Sequence, residues 1–206
     1  MRIDHVVLGS RDLDATGDRY LRQHGLASVP GGAHPAWGTA NRIVPLGDDY
    51  VEFLAVVDPD VAASSAFGTF LRDLTAEGDR WFTVCVADDD LDGSAARLGL
   101  DVVRGSRVRP DGTEVRWRSA GLEDPRRDPW LPFFIEWQVD PDAYPGRMAA
   151  EHGVEVTGIA WVEMAGDESR LGEWLGGVDL PIRMVGGQSL GVRAVGLSST
   201  EGEIVL

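Results

Sequence analysis

The chain contains 206 residues, of which 43% are hydrophobic and 26% are charged, a composition typical of a folded protein with a substantial core. Its formal net charge of -15 argues against nucleic acid and anionic membrane surfaces as partners, because both attract basic proteins. The sequence has no lysine, which excludes Schiff-base catalysis and a lysine-containing phosphate-binding loop. We therefore expect a small-molecule partner and no nucleotide cofactor.

A single cysteine, Cys85, cannot form an internal disulfide, and its apolar surroundings favour an inert buried thiol. No basic N-terminal segment leads into an apolar stretch, and no run of about 18 apolar residues is present. We therefore expect a cytoplasmic protein that does not insert into a membrane.

A pattern of strand, turn and helix occurs twice, over residues 2–14 and 80–92. The positions that correspond between the two copies include Asp12 and Asp90, and His5 and Thr83. Each copy is followed by Gly-Thr, which opens a new strand, and the last strand of each unit carries an acidic residue between an aliphatic and an aromatic one. These acidic residues are Glu52 and Glu136. The chain is thus predicted to contain two units of the form strand, helix, strand, strand, strand.

We assign the first unit to residues 1–58 and the second to residues 80–140, joined by an amphipathic helix within residues 59–79. In the first unit the pattern predicts a helix over residues 13–24, with Asp12 as its N-cap and Gly25 at its end. A Pro-Gly-Gly sequence then predicts a loop over residues 28–36. Two strands are predicted next, over residues 39–46 and 50–57.

The second unit is predicted to contain a helix over residues 90–98 and strands over residues 81–86, 102–107, 113–119 and 131–139. A Pro-Asp-Gly sequence marks a hairpin turn between its middle strands. Residues 122–130 form an insertion rich in Pro, Asp and Arg, which can cover a pocket at the rim of a sheet.

Residues 154–206 have the same order of predicted elements and form a third, degenerate unit. When this unit is aligned with the first, Ala160 takes the place of His5 and Val205 the place of Glu52. We therefore expect the third unit to provide packing and no site chemistry.

The residues His5, Asp12, Leu13 and Glu52, at their spacing, resemble those of the vicinal oxygen chelate superfamily, which includes glyoxalase I, extradiol dioxygenases and bleomycin-resistance proteins. More closely, residues 2–139 resemble bacterial glyoxalase-like domain proteins. The residues that carry this second resemblance are Gly31-Gly32-Ala33-His34, Gly38-Thr39, Asn41, Leu46-Gly47 and Tyr50-Val51-Glu52.

The resemblance implies an α+β fold of tandem βαβββ modules whose mixed sheet curves into a cup with helices outside. It also implies metal ligands on the first and last strand of each module, which here are His5, Glu52, Thr83 and Glu136. Thr83 departs from the family pattern, because its hydroxyl is a poor ligand.

One histidine and two carboxylates at the centres of three strands are costly to bury unless they are paired, protonated or bound to a metal. The set of His5, Glu52 and Glu136 suits Mn, Fe, Ni, Co or Zn and leaves positions for water or substrate. The alternative is that His5 is a satisfied core histidine and that both glutamates face solvent. Because the three residues occupy equivalent places in the repeats, we predict that Glu52 and Glu136 face each other across one cavity.

Six other side chains are candidates. His34 is a possible fourth ligand or general acid/base, or an exposed loop histidine, and Asn41 can orient a substrate oxygen or bond a neighbouring strand. Seven of the 19 arginines lie within residues 104–127. Among them Arg116 and Arg118 share a strand face and can hold a substrate carboxylate, or pair with the many acidic residues. Two loop tryptophans, Trp37 and Trp130, can line the mouth of a cup.

The sequence thus favours a metal-assisted enzyme, of lyase or isomerase type, that acts on a small oxygenated organic molecule. In this hypothesis the ion polarises vicinal oxygens, and Glu52, Glu136 or His34 moves a proton at the adjacent carbon. The competing hypothesis is a metal-free protein that sequesters a small ligand in the same cup. Either protein is expected to be a monomer or a homodimer.

Overall fold

The computed structural model describes residues 1–124, 127–187 and 189–206. Its first unit has the predicted order of strand, helix, strand, strand and strand. Its elements are β1 (Arg2–Gly9), α1 (Leu13–His24), β2 (Val29–His34), β3 (Thr39–Pro45) and β4 (Tyr50–Val56). β1 pairs with β4 in parallel, and β3 pairs antiparallel with both β4 and β2. The first and last strands of the unit are therefore neighbours.

Helix α1 has the predicted bounds because both of its ends are capped. The side chain of Asp12 accepts hydrogen bonds from the backbone N–H groups of Asp14 and Ala15, each at 3.0 Å. Gly25 takes the left-handed conformation, with φ of 69°, and its N–H donates to the carbonyl of Leu21. The predicted N-cap and C-terminal glycine are confirmed.

The position of strand β2 was not expected, because residues 28–36 are predicted as a loop. The Pro-Gly-Gly sequence forms an irregular strand instead, with a register shift against β3 between Pro30 and Gly32. A side chain at Gly31 would place its Cβ 2.2 Å from Oδ1 of Asn41, so the glycine permits close approach of the two strands. Glycine often breaks regular structure, but here it allows β2 and β3 to pack closely.

The connection between the units forms two helices, α2 (Pro59–Ala63) and α3 (Ala66–Leu74), where one is predicted. Ser65 lies between the two helices and is the N-cap of α3. Its side chain accepts a hydrogen bond from the N–H of Gly68 at 3.2 Å. Phe67 and Leu71 of α3 are buried against the barrel, as the predicted amphipathic spacing requires.

The second unit repeats the first and closes the sheet into a barrel. Its elements are β5 (Arg80–Ala87), α4 (Leu91–Leu98), β6 (Val102–Val108), β7 (Glu114–Ala120) and β8 (Phe133–Trp137). The barrel order is β1-β4-β3-β2-β6-β7-β8-β5, so the units meet at β1 with β5 and at β2 with β6. The predicted fold of tandem βαβββ modules in a curved mixed sheet is confirmed, and the cup is closed.

The third unit contains β9 (Val156–Ala165), α5 (Glu168–Trp174), β10 (Ile182–Val185), β11 (Gly191–Ser199) and β12 (Gly202–Val205). These elements follow the predicted order along the chain. They form a separate sheet of order β10-β9-β11-β12, in which β9 pairs in parallel with β10 and lies inside the sheet. In the first two units the first strand pairs in parallel with the last strand instead, so the strand order of the third unit differs.

The third unit covers the outer face of β1, β5 and β8 with one shared apolar core. The members contributed by the barrel include Val6, Val84, Val86 and Phe134, and those contributed by the third unit include Val162, Met164, Leu171 and Trp174. The indole N–H of Trp174 donates to the carbonyl of Pro132 at 2.9 Å, which fixes α5 on the barrel. Among the described residues, no helix is long and apolar enough to cross a membrane.

The insertion before β8 is held by a buried arginine, Arg127. Its guanidinium donates to the carbonyls of Gly121 and Pro129, at 2.6 and 3.1 Å, and to that of Leu131. Burial lowers the pKa of Arg127 to about 10. Trp130 packs against Gly166 of the third unit and not at the cavity mouth, so the suggested mouth position for Trp130 is wrong. Two residues of the predicted insertion, Pro125 and Arg126, lie outside the described residues.

We predict that a chain truncated after residue 153 aggregates or fails to fold. The truncation would expose the outer face of β1 and β5, where Val6, Val84 and Val86 are completely buried in the full chain. Solubility and near-ultraviolet circular dichroism of the truncated and full-length chains measure the effect. A soluble fragment with native-like aromatic signals would contradict a packing role for the third unit.

A second prediction concerns Asp49, which joins the barrel to β9 by accepting from the N–H of Ile159 at 3.0 and 3.1 Å. Burial raises the pKa of Asp49 to about 6, so its contribution to stability is largest below about pH 4 and is lost as pH rises through about 6. We expect Asp49→Asn to raise the free energy of unfolding at pH 8 by up to about 3 kcal/mol, and by about half as much at pH 5.

Urea unfolding at both pH values measures this difference. Asp48→Asn is the matched control, since the neighbouring Asp48 side chain is 82% exposed. A stabilisation of equal size at both pH values would show that the ionised Asp49 carries no burial cost.

Candidate functional site

The inward-facing side chains of the barrel enclose a cavity of about 500 Å³, its open mouth included. Most of its wall is apolar and aromatic: Trp37, Phe67, Phe82, Trp117, Phe133 and Trp137. The polar groups of the wall are His5, His34, Asn41, Tyr50, Glu52 and Arg107. A small, largely apolar cavity with a few converging polar groups is typical of a small-molecule site.

The structure brings His5 and Glu52 together at the junction of β1 and β4. Because the strands are parallel and His5 lies opposite Tyr50, Glu52 falls one step further along the same inner face. Nε2 of His5 lies 3.4 Å from Oε2 of Glu52, and both side chains are buried. The His5 ring stacks on Tyr50, with centroids 4.4 Å apart.

Asp4 holds the other side of the His5 ring. A register shift in β1 between Ile3 and His5 makes Asp4 an extra residue in the strand, which turns its carboxylate towards its neighbour. Oδ1 of Asp4 lies 2.7 Å from Nδ1 of His5. Oδ2 accepts from the indole N–H of Trp137 and from the hydroxyl of Tyr144, each at 3.0 Å.

Sequence reasoning missed Asp4, although an acidic residue in an otherwise apolar strand was a signal. With Nδ1 of the ring facing Asp4, the other ring nitrogen, Nε2, faces Glu52. A line of polar side chains thus runs from Asp4 through His5 to Glu52 in the wall of the cavity.

Asn41 connects Glu52 to a second charged residue, Arg107. The Asn41 amide group donates a hydrogen bond to Oε1 of Glu52. Its oxygen accepts from Nη1 of Arg107 at 2.8 Å. Asn41 lies on β3 and Arg107 on β6, so this bridge spans the seam between the two units. Asn41 thus bonds a neighbouring strand, which is one of the two roles suggested for it.

Arg107 is the arginine of the predicted basic run that reaches the cavity, and sequence reasoning did not single it out. It is 3% exposed and lines the cavity wall. Its Nε and Nη2 atoms are buried and have no hydrogen-bond partner among the described residues. A buried, unpartnered donor is costly, and such donors are often found where a ligand binds.

His34 lines the same cavity from β2, close to Trp37. Its Nδ1 lies 3.2 Å from the Thr39 hydroxyl. Burial, opposed by the Glu52 carboxylate and assisted by the Arg107 charge, lowers the pKa of His34 to about 4. His34 is therefore neutral at pH 7, and the expectation of a histidine beside the cup agrees with its position. Trp37 lines the cavity as suggested.

Glu136 lies outside the cavity, and the prediction that it faces Glu52 is wrong. Its neighbours Ile135 and Trp137 line the cavity, so the alternation of β8 turns Glu136 outward. There its carboxylate pairs with Arg118 at 3.3 Å. In the strand register Glu52 lies opposite Val7, whereas Cys85, the residue of β5 that corresponds to Val7, lies opposite Phe133. Phe133, and not Glu136, therefore takes the place of Glu52 in the second unit.

Arg116 and Arg118 also lie on the outer face, because Val115 and Trp117 occupy the inner one. Arg116 pairs with Glu114 at 2.6 Å, and Arg118 pairs with Asp92 as well as Glu136. The alternative interpretation, that these two arginines pair with acidic residues, describes the structure. A substrate-binding role for them in the barrel cavity is wrong.

Comparison with known proteins agrees with this architecture. A family model described as "Glyoxalase-like domain" matches residues 3–176. A solved structure of a hypothetical protein from Staphylococcus aureus is 18% identical, covers 94% of this chain and 89% of its own, and has a TM-score of 0.72. Its similarity supports the fold across all three units.

Two methylmalonyl-CoA epimerases have lower TM-scores and cover less of this chain. The one from Mycobacterium tuberculosis is 21% identical over 66% of this chain and 87% of its own, with a TM-score of 0.47. The one from Streptomyces coelicolor is 21% identical over 68% of this chain and 99% of its own, with a TM-score of 0.49. No curated protein matches the chain at a significant level.

The family match covers most of the chain, and the paired βαβββ barrel is the architecture that the resemblance implies. The chain therefore belongs to the glyoxalase-like domain family.

Proposed function

We propose that this protein is an enzyme that moves a proton in a small oxygenated organic molecule bound in the barrel cavity. The observation that carries the proposal is the buried Glu52 carboxylate, which Asn41 orients and which lies 3.4 Å from Nε2 of His5. A carboxylate held in a largely apolar, aromatic-lined cavity is suited to abstract a proton from a carbon next to a carbonyl group.

Each polar residue has a distinct role in this proposal. Glu52 takes or returns the proton, while Asp4 orients the His5 ring and His5 holds the Glu52 carboxylate in position. His34 is neutral and its Nδ1 is occupied by Thr39, so Nε2 is the ring atom that can donate to a substrate oxygen. The aromatic wall holds the apolar part of the molecule and excludes water.

The predicted three-ligand metal centre does not fit the arrangement of the donors. Of the three predicted ligands, only His5 and Glu52 lie close together, because Glu136 faces outward. The fourth position implied by the resemblance is Thr83, which supplies no ligand. Catalytic zinc sites use three protein ligands. Within the described residues, Asp4, His5 and Cys85 also converge, with ligand atoms within 4.8 Å. Asp4 is already hydrogen-bonded, and burial raises the pKa of Cys85 well above its ordinary value.

We therefore propose acid-base chemistry by the residues themselves, in a cytoplasmic protein without nucleic-acid or membrane partners, acting as a monomer or homodimer. A catalytically inert protein that sequesters the same kind of molecule is the second candidate. The incomplete set of metal ligands favours this second candidate, because a sequestering protein needs only to bind the molecule in the cavity. The two candidates differ in whether Glu52 exchanges protons with the bound molecule.

We predict that Glu52→Gln lowers the rate of proton exchange by about 100- to 10,000-fold, because glutamine keeps the shape of the side chain but cannot accept the proton. The measurement is exchange of carbon-bound hydrogen into D2O, followed by proton NMR, for pyruvate, malonate and dihydroxyacetone. Glu136→Gln on the outer face is the control and should leave the rate within about twofold.

If the wild type exchanges none of these protons yet binds the molecules, and Glu52→Gln binds them within a few-fold, the sequestering protein is the better description. Exchange that persists in Glu52→Gln would remove Glu52 from the mechanism.

We also predict that chelator-stripped protein shows no His5-dependent uptake of Mn, Ni or Zn at sub-millimolar concentration, since only two of the expected ligands meet. Calorimetric titration of wild type and His5→Ala, at pH 6 and pH 8, tests this. Binding that is lost in His5→Ala and weakened at pH 6, where protons compete for the imidazole, would restore the metal-assisted mechanism.

A further inference from the structure

Arg107 presents one edge of its guanidinium group without a partner. Nη1 donates to Asn41, while Nε and Nη2 are buried and unpartnered among the residues described. These two nitrogens carry parallel N–H bonds on the same edge of the planar group. That edge matches the spacing of the two oxygens of a carboxylate, which it binds with two hydrogen bonds.

From this free edge on the cavity wall we propose that the molecule bound in the cavity is a carboxylate, and that Arg107 recognises it. This inference rests on the proposed function, because it names the class of substrate for the same cavity. A carboxylate there would partner the two buried donors and bring a compensating charge, and both effects favour binding.

The surroundings of Arg107 keep this edge available. Both Glu52 oxygens are engaged, by Asn41 and His5, so the carboxylate of the protein does not neutralise the arginine directly. Strand β2 fixes the side chain in place: a Cβ at Gly31 would lie 2.6 Å from Nη1, and one at Gly32 would lie 3.5 Å from Cδ. The arginine is thus pre-organised for a ligand that arrives later.

The single arginine and the aromatic wall further restrict the kind of carboxylate that fits the cavity. One guanidinium matches one negative charge, whereas a phosphate dianion would leave an excess charge close to Glu52 in a dry cavity. Trp37, Trp117 and Trp137 offer flat apolar surfaces to the remainder of the ligand. A monocarboxylate with a small planar or apolar body fits both features.

The test compares benzoate with its neutral isostere benzamide, and with inorganic phosphate, by calorimetric titration into the full-length protein. We expect the wild type to prefer benzoate over benzamide by about tenfold or more, and Arg107→Gln to lose about ten- to a hundredfold in benzoate affinity with little change for benzamide. Arg104→Gln is the matched control, with the same change of charge on the same strand at an exposed position. It should keep the wild-type preference.

Arg107→Lys retains the charge without the double donor and should recover only part of the preference, even if Arg107→Gln folds poorly by circular dichroism. Equal affinities for benzoate and benzamide, no benzoate binding up to millimolar concentration, tighter binding of phosphate, or equal behaviour of Arg107→Gln and Arg104→Gln would each overturn the inference.

Binding is measured without turnover, so the two proposals fail separately. Carboxylate preference without proton exchange would refute the enzyme and leave the inference standing. Proton exchange on neutral molecules, without any preference for carboxylates, would refute the inference about Arg107 and leave the proposed enzyme standing.

Discussion

The burial of opposite charges inside an aromatic barrel is the constraint on which the rest of the site depends. An unpaired carboxylate or guanidinium in such a place costs several kcal/mol, so each buried charge must have polar partners nearby. Asp4 meets His5, His5 meets Glu52, and Asn41 connects Glu52 to Arg107. Closure of the two units at β2 and β6 makes the last connection, because Asn41 and Arg107 come from different units.

The repeated unit could be predicted from the sequence because its signals are local. The capped helix α1 and the acidic-leucine turn that precedes each helix are encoded within about a dozen residues, and both appear as expected. The closed barrel follows from two such units, since each leaves a curved half-sheet with an uncovered apolar face. The strand order of the third unit depends on which partner its first strand finds, and no local pattern specifies this.

The position of Glu136 could not be predicted because β4 and β8 are covered on both faces. Phe53 packs outward against Tyr20 of α1, and Phe134 packs outward near Trp174 of the third unit. When both faces of a strand are apolar, alternation no longer shows which residues point inward. The same motif, an acid between an aliphatic and an aromatic residue, therefore points inward in β4 and outward in β8.

Arg107 was hidden for a related reason. Most residues of β6 are exposed or half-exposed, so the strand has the polar pattern of a surface edge, and its one buried arginine is not distinguished from its neighbours. The sequence feature that indicates a buried arginine lies on another strand. The glycines of β2 leave room for the guanidinium of Arg107, in a segment whose sequence is typical of a loop. Detecting it requires knowing that β2 and β6 are neighbours, which is a property of the closed barrel.

The choice of asparagine at position 41 has a consequence for chemistry. A direct pair between Glu52 and Arg107 would lower the basicity of the carboxylate and consume the donors of the arginine. The neutral amide bonds to both and separates them, so a base and a cation remain in one dry cavity without cancelling each other. Low dielectric strengthens the interaction of each with a bound molecule. This separation allows one small cavity to attract a charged ligand and still keep a base to act on it.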